Sequence, residues 1–198
     1  MNSYAKAETL VGAFAAPLDW TRSALLVVGF SLLTALAAQV VVPLPWTPVP
    51  LTGQTFAVLL TGALLGPRLG ALAMLAYLAE GAAGLPFFRG GGGGLGHLSA
   101  ATAGGYLLAF PAAAYVTGVL AERGWDRRFL TAAAAMFLGS LVILAGGWAW
   151  FSLAVGVEQA FWRGVLPFLP GDVVKIAFAA ALLPAGWALL RKTGSRGE

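Results

Sequence analysis

Apolar residues along this chain come in six runs, and prolines, glycines and charges collect in the breaks between them. A helix needs about 20 apolar residues to span the hydrocarbon of a bilayer. Residues 24–42 form an uncharged run of that size. It is ended by Pro43-Leu44-Pro45-Trp46-Thr47-Pro48-Val49-Pro50, whose prolines cannot continue a helix. The second run, 54–65, is short and is expected to tilt or to borrow residues from the loop before it. Gly66-Pro67-Arg68 turns the chain into a third run, 69–85, interrupted by Glu80. A glycine stretch follows, then runs at 103–121 and 129–153 on either side of a charged turn, 122–128. A segment rich in Trp, Phe and Pro at 155–171 leads into the last run, 173–190. Pro111 and Pro184 fall inside runs, which a membrane span tolerates because local adjustments re-satisfy the freed carbonyls.

This pattern predicts an all-α membrane protein. Six transmembrane helices form a bundle over residues 24–190, between an N-terminal tail (1–23) and a C-terminal tail (191–198). Composition supports the reading. Of 198 residues, 59% are hydrophobic and 10% charged, against about 25% charged in soluble domains. A soluble core of this size cannot hide that much apolar surface, whereas a lipid bilayer has no need to exclude it. Cysteines are absent and His97 is the single histidine, which excludes disulfide frameworks and thiolate or His-rich metal sites. The net charge of +4 does not point to nucleic acid, because the basic residues are not clustered with aromatics.

Those basic residues set an orientation instead. With six spans both termini share a side. Lys6, Arg22, Arg68, Arg123, Arg127, Arg128, Arg191, Lys192 and Arg196 lie there, nine in all, against three (Arg89, Arg163 and Lys175) on the other. Cytoplasmic loops carry the Lys and Arg excess, so the N- and C-termini are expected in the cytoplasm. Lys6 is followed by Glu8, and the apolar stretch 10–18 is broken by Gly12 and Pro17, a poor match to a cleaved signal. The start of the chain is therefore expected to stay as a tail lying along the membrane surface. The loops 43–53, 86–102 and 155–171 then face outward and hold most of the unusual residues, which suggests a ligand site roofed by them.

Several constellations carry chemistry. In Pro170-Gly171-Asp172-Val173-Val174-Lys175, Asp172 is expected at the start of the last helix, with Lys175 one turn on along the same face. The pair is either a cap with a snorkelling lysine or an acceptor and donor held side by side for an amide or cyclic urea. The loop Phe87-Phe88-Arg89-Gly90-Gly91-Gly92-Gly93-Gly94-Leu95-Gly96-His97 lets backbone approach a ligand closely. It contains no G-x-x-x-x-G-K-[ST] pattern, so the chain carries no ATP-binding loop of that kind. Gln54 opens the second run as a ligand group or an interhelical contact. Trp46 is placed to stack on a ring or to sit in an interfacial belt. Glu80 needs a partner, for which Lys175 and Arg89 are candidates. Ser99 and His97 share a loop but lack a third member, which leaves an intramembrane hydrolase as an alternative of another class. In the first run Ser31, Ala35 and Gln39 lie four apart, as do Thr34 and Ala38. Such small residues serve internal packing or the docking of a partner subunit through Ser31, Thr34, Ala35 and Ala38.

The stretch from Pro43 to Leu60, with Pro43-Leu44-Pro45-Trp46-Thr47-Pro48-Val49-Pro50-Leu51-Thr52-Gly53-Gln54-Thr55 at its head, resembles the first-loop signature of the BioY family. BioY proteins are the biotin-specific S components of energy-coupling-factor (ECF) transporters. The resemblance continues through Gly62-Ala63-Leu64-Leu65-Gly66-Pro67-Arg68-Leu69-Gly70, Gly84-Leu85-Pro86-Phe87-Phe88, the glycine loop, Ala103-Gly104-Gly105-Tyr106-Leu107 and Pro170-Gly171-Asp172-Val173-Val174-Lys175. It implies a six-helix bundle of the S-component type in a prokaryotic cell membrane, with a biotin pocket near the outer face. It implies Asp172 and Lys175 as ligands of the ureido ring. Gln54, Arg89, Gly91, Tyr106, Phe88 and Trp46 complete the candidate binding set, with Arg89 toward the ligand carboxylate. It also implies a transmembrane coupling subunit and two ABC-type ATPase subunits as partners, no catalytic residue and no cofactor. An S component for a different vitamin, or a structural membrane subunit, is the alternative.

Overall fold

The computed structural model describes residues 9–15 and 19–194. The expectations that rest on Lys6 and Arg196 lie outside the described residues. The chain is built from helices: α1 (Leu10–Ala15), α2 (Trp20–Ala37), α3 (Gln54–Leu65), α4 (Pro67–Ala82), α5 (Leu95–Leu98), α6 (Gly104–Glu122), α7 (Phe129–Val155), α8 (Val157–Gly164) and α9 (Leu169–Gly194). One small antiparallel hairpin, β1 (Val41–Val42) with β2 (Leu51–Thr52), pairs Val41 with Thr52 and Val42 with Leu51.

Most run boundaries agree with the apolar pattern, and the departures have local causes. Helix α2 starts at Trp20 because Asp19 caps it, accepting from the Arg22 N–H at 2.7 Å. It stops at Ala37, since Val41 and Val42 are taken by the hairpin. The segment read as a tail contributes α1, which packs on α3 and α9. Pro67 opens α4, where its missing N–H costs nothing. The last helix begins at Leu169, four residues before the expected start, because Pro170 also fits a first helical turn.

Four stretches are long and apolar enough to cross a membrane: α2, α6, α7 and the run Val157–Lys192 that contains α9. The 12 residues of α3 and 16 of α4 reach only about 18 and 24 Å, short of a roughly 30 Å hydrocarbon layer. Large apolar side chains cover the outside, among them Leu36 (70% exposed), Leu130 (79%) and Phe178 (58%). That exterior suits lipid as solvent rather than water.

Helix α6 is central, packing on α3, α4 and α7; α9 lies against α7 and α3, and α2 against α4 and α3. Tyr77, Met74, Phe110, Met136, Ile143 and Leu183 are fully enclosed between them. Close approach depends on glycine. A Cβ on Gly62 of α3 would run into the Ala114 carbonyl of α6, and one on Gly147 of α7 would run into the Tyr106 ring. Ser31, Thr34, Ala35 and Ala38 are buried within this packing, with Thr34 Oγ1 4.0 Å from Met74 Sδ of α4. Of the two roles that this spacing allows, internal packing is the one these contacts serve.

Candidate functional site

A cavity opens at one end of the bundle, where α3, α6, α7 and α9 meet the three long connections. Its walls are apolar, with Leu107, Phe110, Ile143 and Leu144 on the floor. Val49, Pro50 and Thr52 of the first connection, Arg89, His97 and Thr102 of the second, and Phe168 of the third form its roof. Asp172, Lys175, Gln54, Thr55 and Tyr106 supply most of the remaining polar groups.

Asp172 and Lys175 face this cavity from the first turns of α9, as their spacing of three dictates. Of the two roles that its position allows, capping is not the one that the carboxylate performs. It lies inside the helix and accepts from Ser140 Oγ of α7 at 2.6 Å. Its other oxygen stands 3.7 Å from Lys175 Nζ, which donates to Thr55 Oγ1 of α3 at 2.8 Å. Asp172 is 7% exposed; a carboxylate so buried persists only with such partners. Ser140 and Thr55 were not singled out by sequence reasoning. Their partners lie 32 and 120 residues away, and a hydroxyl inside an apolar run gives no hint of what it will meet.

Gln54 reaches the cavity wall but is committed on both sides. It accepts from Thr52 Oγ1 at 3.0 Å and donates to Tyr77 Oη at 2.6 Å, and Tyr77 donates to the Phe87 carbonyl at 3.1 Å. Tyr106 lines the cavity and donates to the Gly164 carbonyl. Arg89 lines it from a short 3-10 turn, Arg89–Gly91, in which Gly90 and Gly91 adopt positive φ of 63° and 77°. His97 lies beside it; burial, and then the Arg89 charge, hold its pKa below the ordinary histidine value, so the ring is neutral near pH 7.

Three expected residues are elsewhere. Phe88 is fully buried under the glycine loop, edge-on to Tyr77 and stacked on His97, so it anchors the loop instead of lining the cavity. Gly91 is exposed and Trp46 is 65% exposed, and neither borders the cavity. The roof is tied together: Thr47 Oγ1 of the first connection donates to the Arg163 carbonyl in α8. Ser99 is exposed and donates to the Gly96 carbonyl rather than to His97, so no nucleophile–base pair exists there. Glu80 pairs with neither expected cation, and its buried Oε2 has no hydrogen-bond partner among the described residues.

The arrangement pairs an acceptor with a donor at one side of an apolar chamber and places a guanidinium in its roof. The sequence model of the BioY family matches residues 5–192. A probable biotin transporter BioY of Pyrococcus horikoshii is 45% identical over 157 residues, covering 79% of this chain and 91% of that protein. The biotin transporter BioY of Rhizobium etli is 38% identical over 167 residues, covering 76% and 88%. Among solved structures, the S-component for biotin from an ECF-type ABC transporter superposes with a TM-score of 0.76 at 23% identity, over 87% of this chain and 92% of that one.

Proposed function

The chain belongs to the BioY family, and from that premise we propose that it is a biotin-binding S component that captures biotin in the Asp172–Lys175 cavity for uptake by an ECF transporter. The observation that carries the reading is the acceptor–donor pair facing an apolar chamber. A cyclic urea offers an N–H beside a carbonyl oxygen. Asp172 Oδ1 accepts from that N–H, and a free N–H of the Lys175 ammonium donates to the oxygen. The sulfur-containing ring and the aliphatic tail rest on Leu107, Phe110, Ile143 and Leu144, and the tail carboxylate meets Arg89 in the roof. Nothing in this chemistry breaks a covalent bond, in keeping with a transport protein and not an enzyme.

The finer reading follows from charge and length. Six helices span the cell membrane, α3 and α4 with tilt or local thinning. The charge split puts both termini in the cytoplasm and the cavity at the outer face. A transmembrane coupling subunit and two ABC-type ATPase subunits supply the driving force from the cytoplasmic side. The G-x-x-x-x-G-K-[ST] pattern does not occur in this chain, in keeping with energy supplied by partners.

Calorimetric titration of the purified protein with biotin tests the assignment, with thiamine and riboflavin as competitors. Biotin is expected to bind and, at about 100 times its Kd, to add roughly 2.7 kcal/mol of stability in thermal unfolding. Binding of another vitamin in its place would overturn the ligand while leaving the fold intact.

A further inference from the structure

Most described hydroxyls inside the helices satisfy themselves locally. Ser31, Thr34, Thr61, Thr117 and Ser152 each donate to a carbonyl three or four residues back in their own helix. That is the ordinary habit of Ser and Thr in helices. Ser140 and Thr55 depart from it. Ser140 Oγ crosses from α7 to Asp172 Oδ2 at 2.6 Å, and Thr55 Oγ1 takes the Lys175 ammonium from α9 at 2.8 Å.

The consequence shows in the ion pair between them. A direct charged hydrogen bond between an ammonium and a carboxylate measures about 2.7–2.9 Å. Here the two charges stand 3.7 Å apart. Two helices therefore pull on a pair carried by a third, one hydroxyl on each member. The carboxylate keeps Oδ1 uncommitted to any closer donor. The ammonium, with three N–H donors and one spent on Thr55, keeps others for the cavity.

Resting on the ligand assignment above, we propose that Ser140 and Thr55 are positioning residues that hold Asp172 and Lys175 apart, so that a cyclic urea enters between groups already aimed at it. Without them the pair closes on itself. The ligand must then break an ion pair before it can bind, and the pre-organisation is lost.

The test is biotin titration of Ser140→Ala, Thr55→Val and Thr55→Ser in the full-length purified protein, repeated in Asp172→Asn and Lys175→Ala backgrounds. Ser140→Ala and Thr55→Val are expected to weaken binding roughly tenfold each, while Thr55→Ser, which keeps the hydroxyl, stays near the unsubstituted protein. Ser140→Ala should cost less once Asp172 is Asn, and Thr55→Val nothing further once Lys175 is Ala, because each hydroxyl acts through its charged partner. Melting curves without ligand separate a loss of fold from a loss of aim, and Thr55→Val, nearly isosteric, carries the test if Ser140→Ala does not fold. Full affinity in both single variants, or losses that add undiminished in the charge-deleted backgrounds, would overturn the positioning role. If the unsubstituted protein itself ignores biotin, the ligand assignment fails and takes this inference with it.

Discussion

Two buried aspartates stand against the two ends of α9, and they are treated differently. Asp172, near its start, has a serine hydroxyl on one oxygen and a lysine ammonium beside the other, and it borders a cavity. Asp126, in the connection between α6 and α7, is 1% exposed and accepts from Trp187 Nε1 of α9 at 2.6 Å through Oδ2, while Oδ1 is buried without a hydrogen-bond partner among the described residues. Arg127 lies over the Trp187 ring, 4.7 Å from its centre. Fifteen residues of helix separate the two sites, about 22 Å along the axis. The carboxylate proposed to meet a ligand keeps an oxygen next to open space and beside an ammonium held by Thr55. The other carboxylate spends its bond on a buried indole of the same helix, α9. Burial pushes the Asp126 carboxyl above the ordinary aspartate value, against the milder opposing pull of Trp187 and Arg127.

The sharpest way to break this contrast is to neutralise each in turn. Asp172→Asn and Lys175→Ala are expected to weaken biotin binding roughly 10- to 100-fold or more, the worth of a buried charged hydrogen bond. Asp126→Asn should leave the affinity within about twofold in the same titration. Equal losses from the two aspartates would erase the distinction. Next in size is the indole. Trp187→Phe removes the donor from a buried carboxylate and is expected to lower unfolding stability by about 1–3 kcal/mol, seen as a lower melting temperature with biotin affinity retained. A smaller effect follows pH. A carboxyl whose folded pKa is raised gives stability that is present below the ordinary aspartate range and fades as pH climbs through the folded value. The melting temperature of Asp126→Asn relative to the unsubstituted protein should therefore rise with pH across that window, and a difference that stays flat would mean Asp126 is not under this strain. Smallest of all, Trp46→Ala and Ser99→Ala, both outside the cavity, are expected to change biotin affinity by less than about twofold.

What could be read before the structure was local. The α3 boundaries, 54–65, are legible because prolines and glycines bracket an apolar run. The Asp172–Lys175 pairing is legible because three residues make one helical turn. The α9 start was misplaced because Pro170-Gly171 reads as a breaker when isolated, although proline suits a first turn. The small-residue face of α2 was visible as a face, but spacing cannot say what covers it, and α4 does. Ser140, Thr55 and the Asp126–Trp187 contact were out of reach. Each joins residues brought together by packing alone, and in an apolar run a lone hydroxyl or indole resembles any other. Phe88 and Arg89 illustrate the limit within one dipeptide: adjacent residues point to opposite sides of the loop, one into the core and one into the cavity.

The Thr47 bond to the Arg163 carbonyl fastens to α8 the same connection whose Val49 and Pro50 help roof the cavity. For a ligand this makes the fastening a clock. A ligand that entered by parting these two connections would meet the same bond on the way in and on the way out, so loosening it would speed both steps together and leave the equilibrium where it was. A Thr47→Val protein would exchange bound and free vitamin faster in both directions, and the number to watch is a rate, not a Kd.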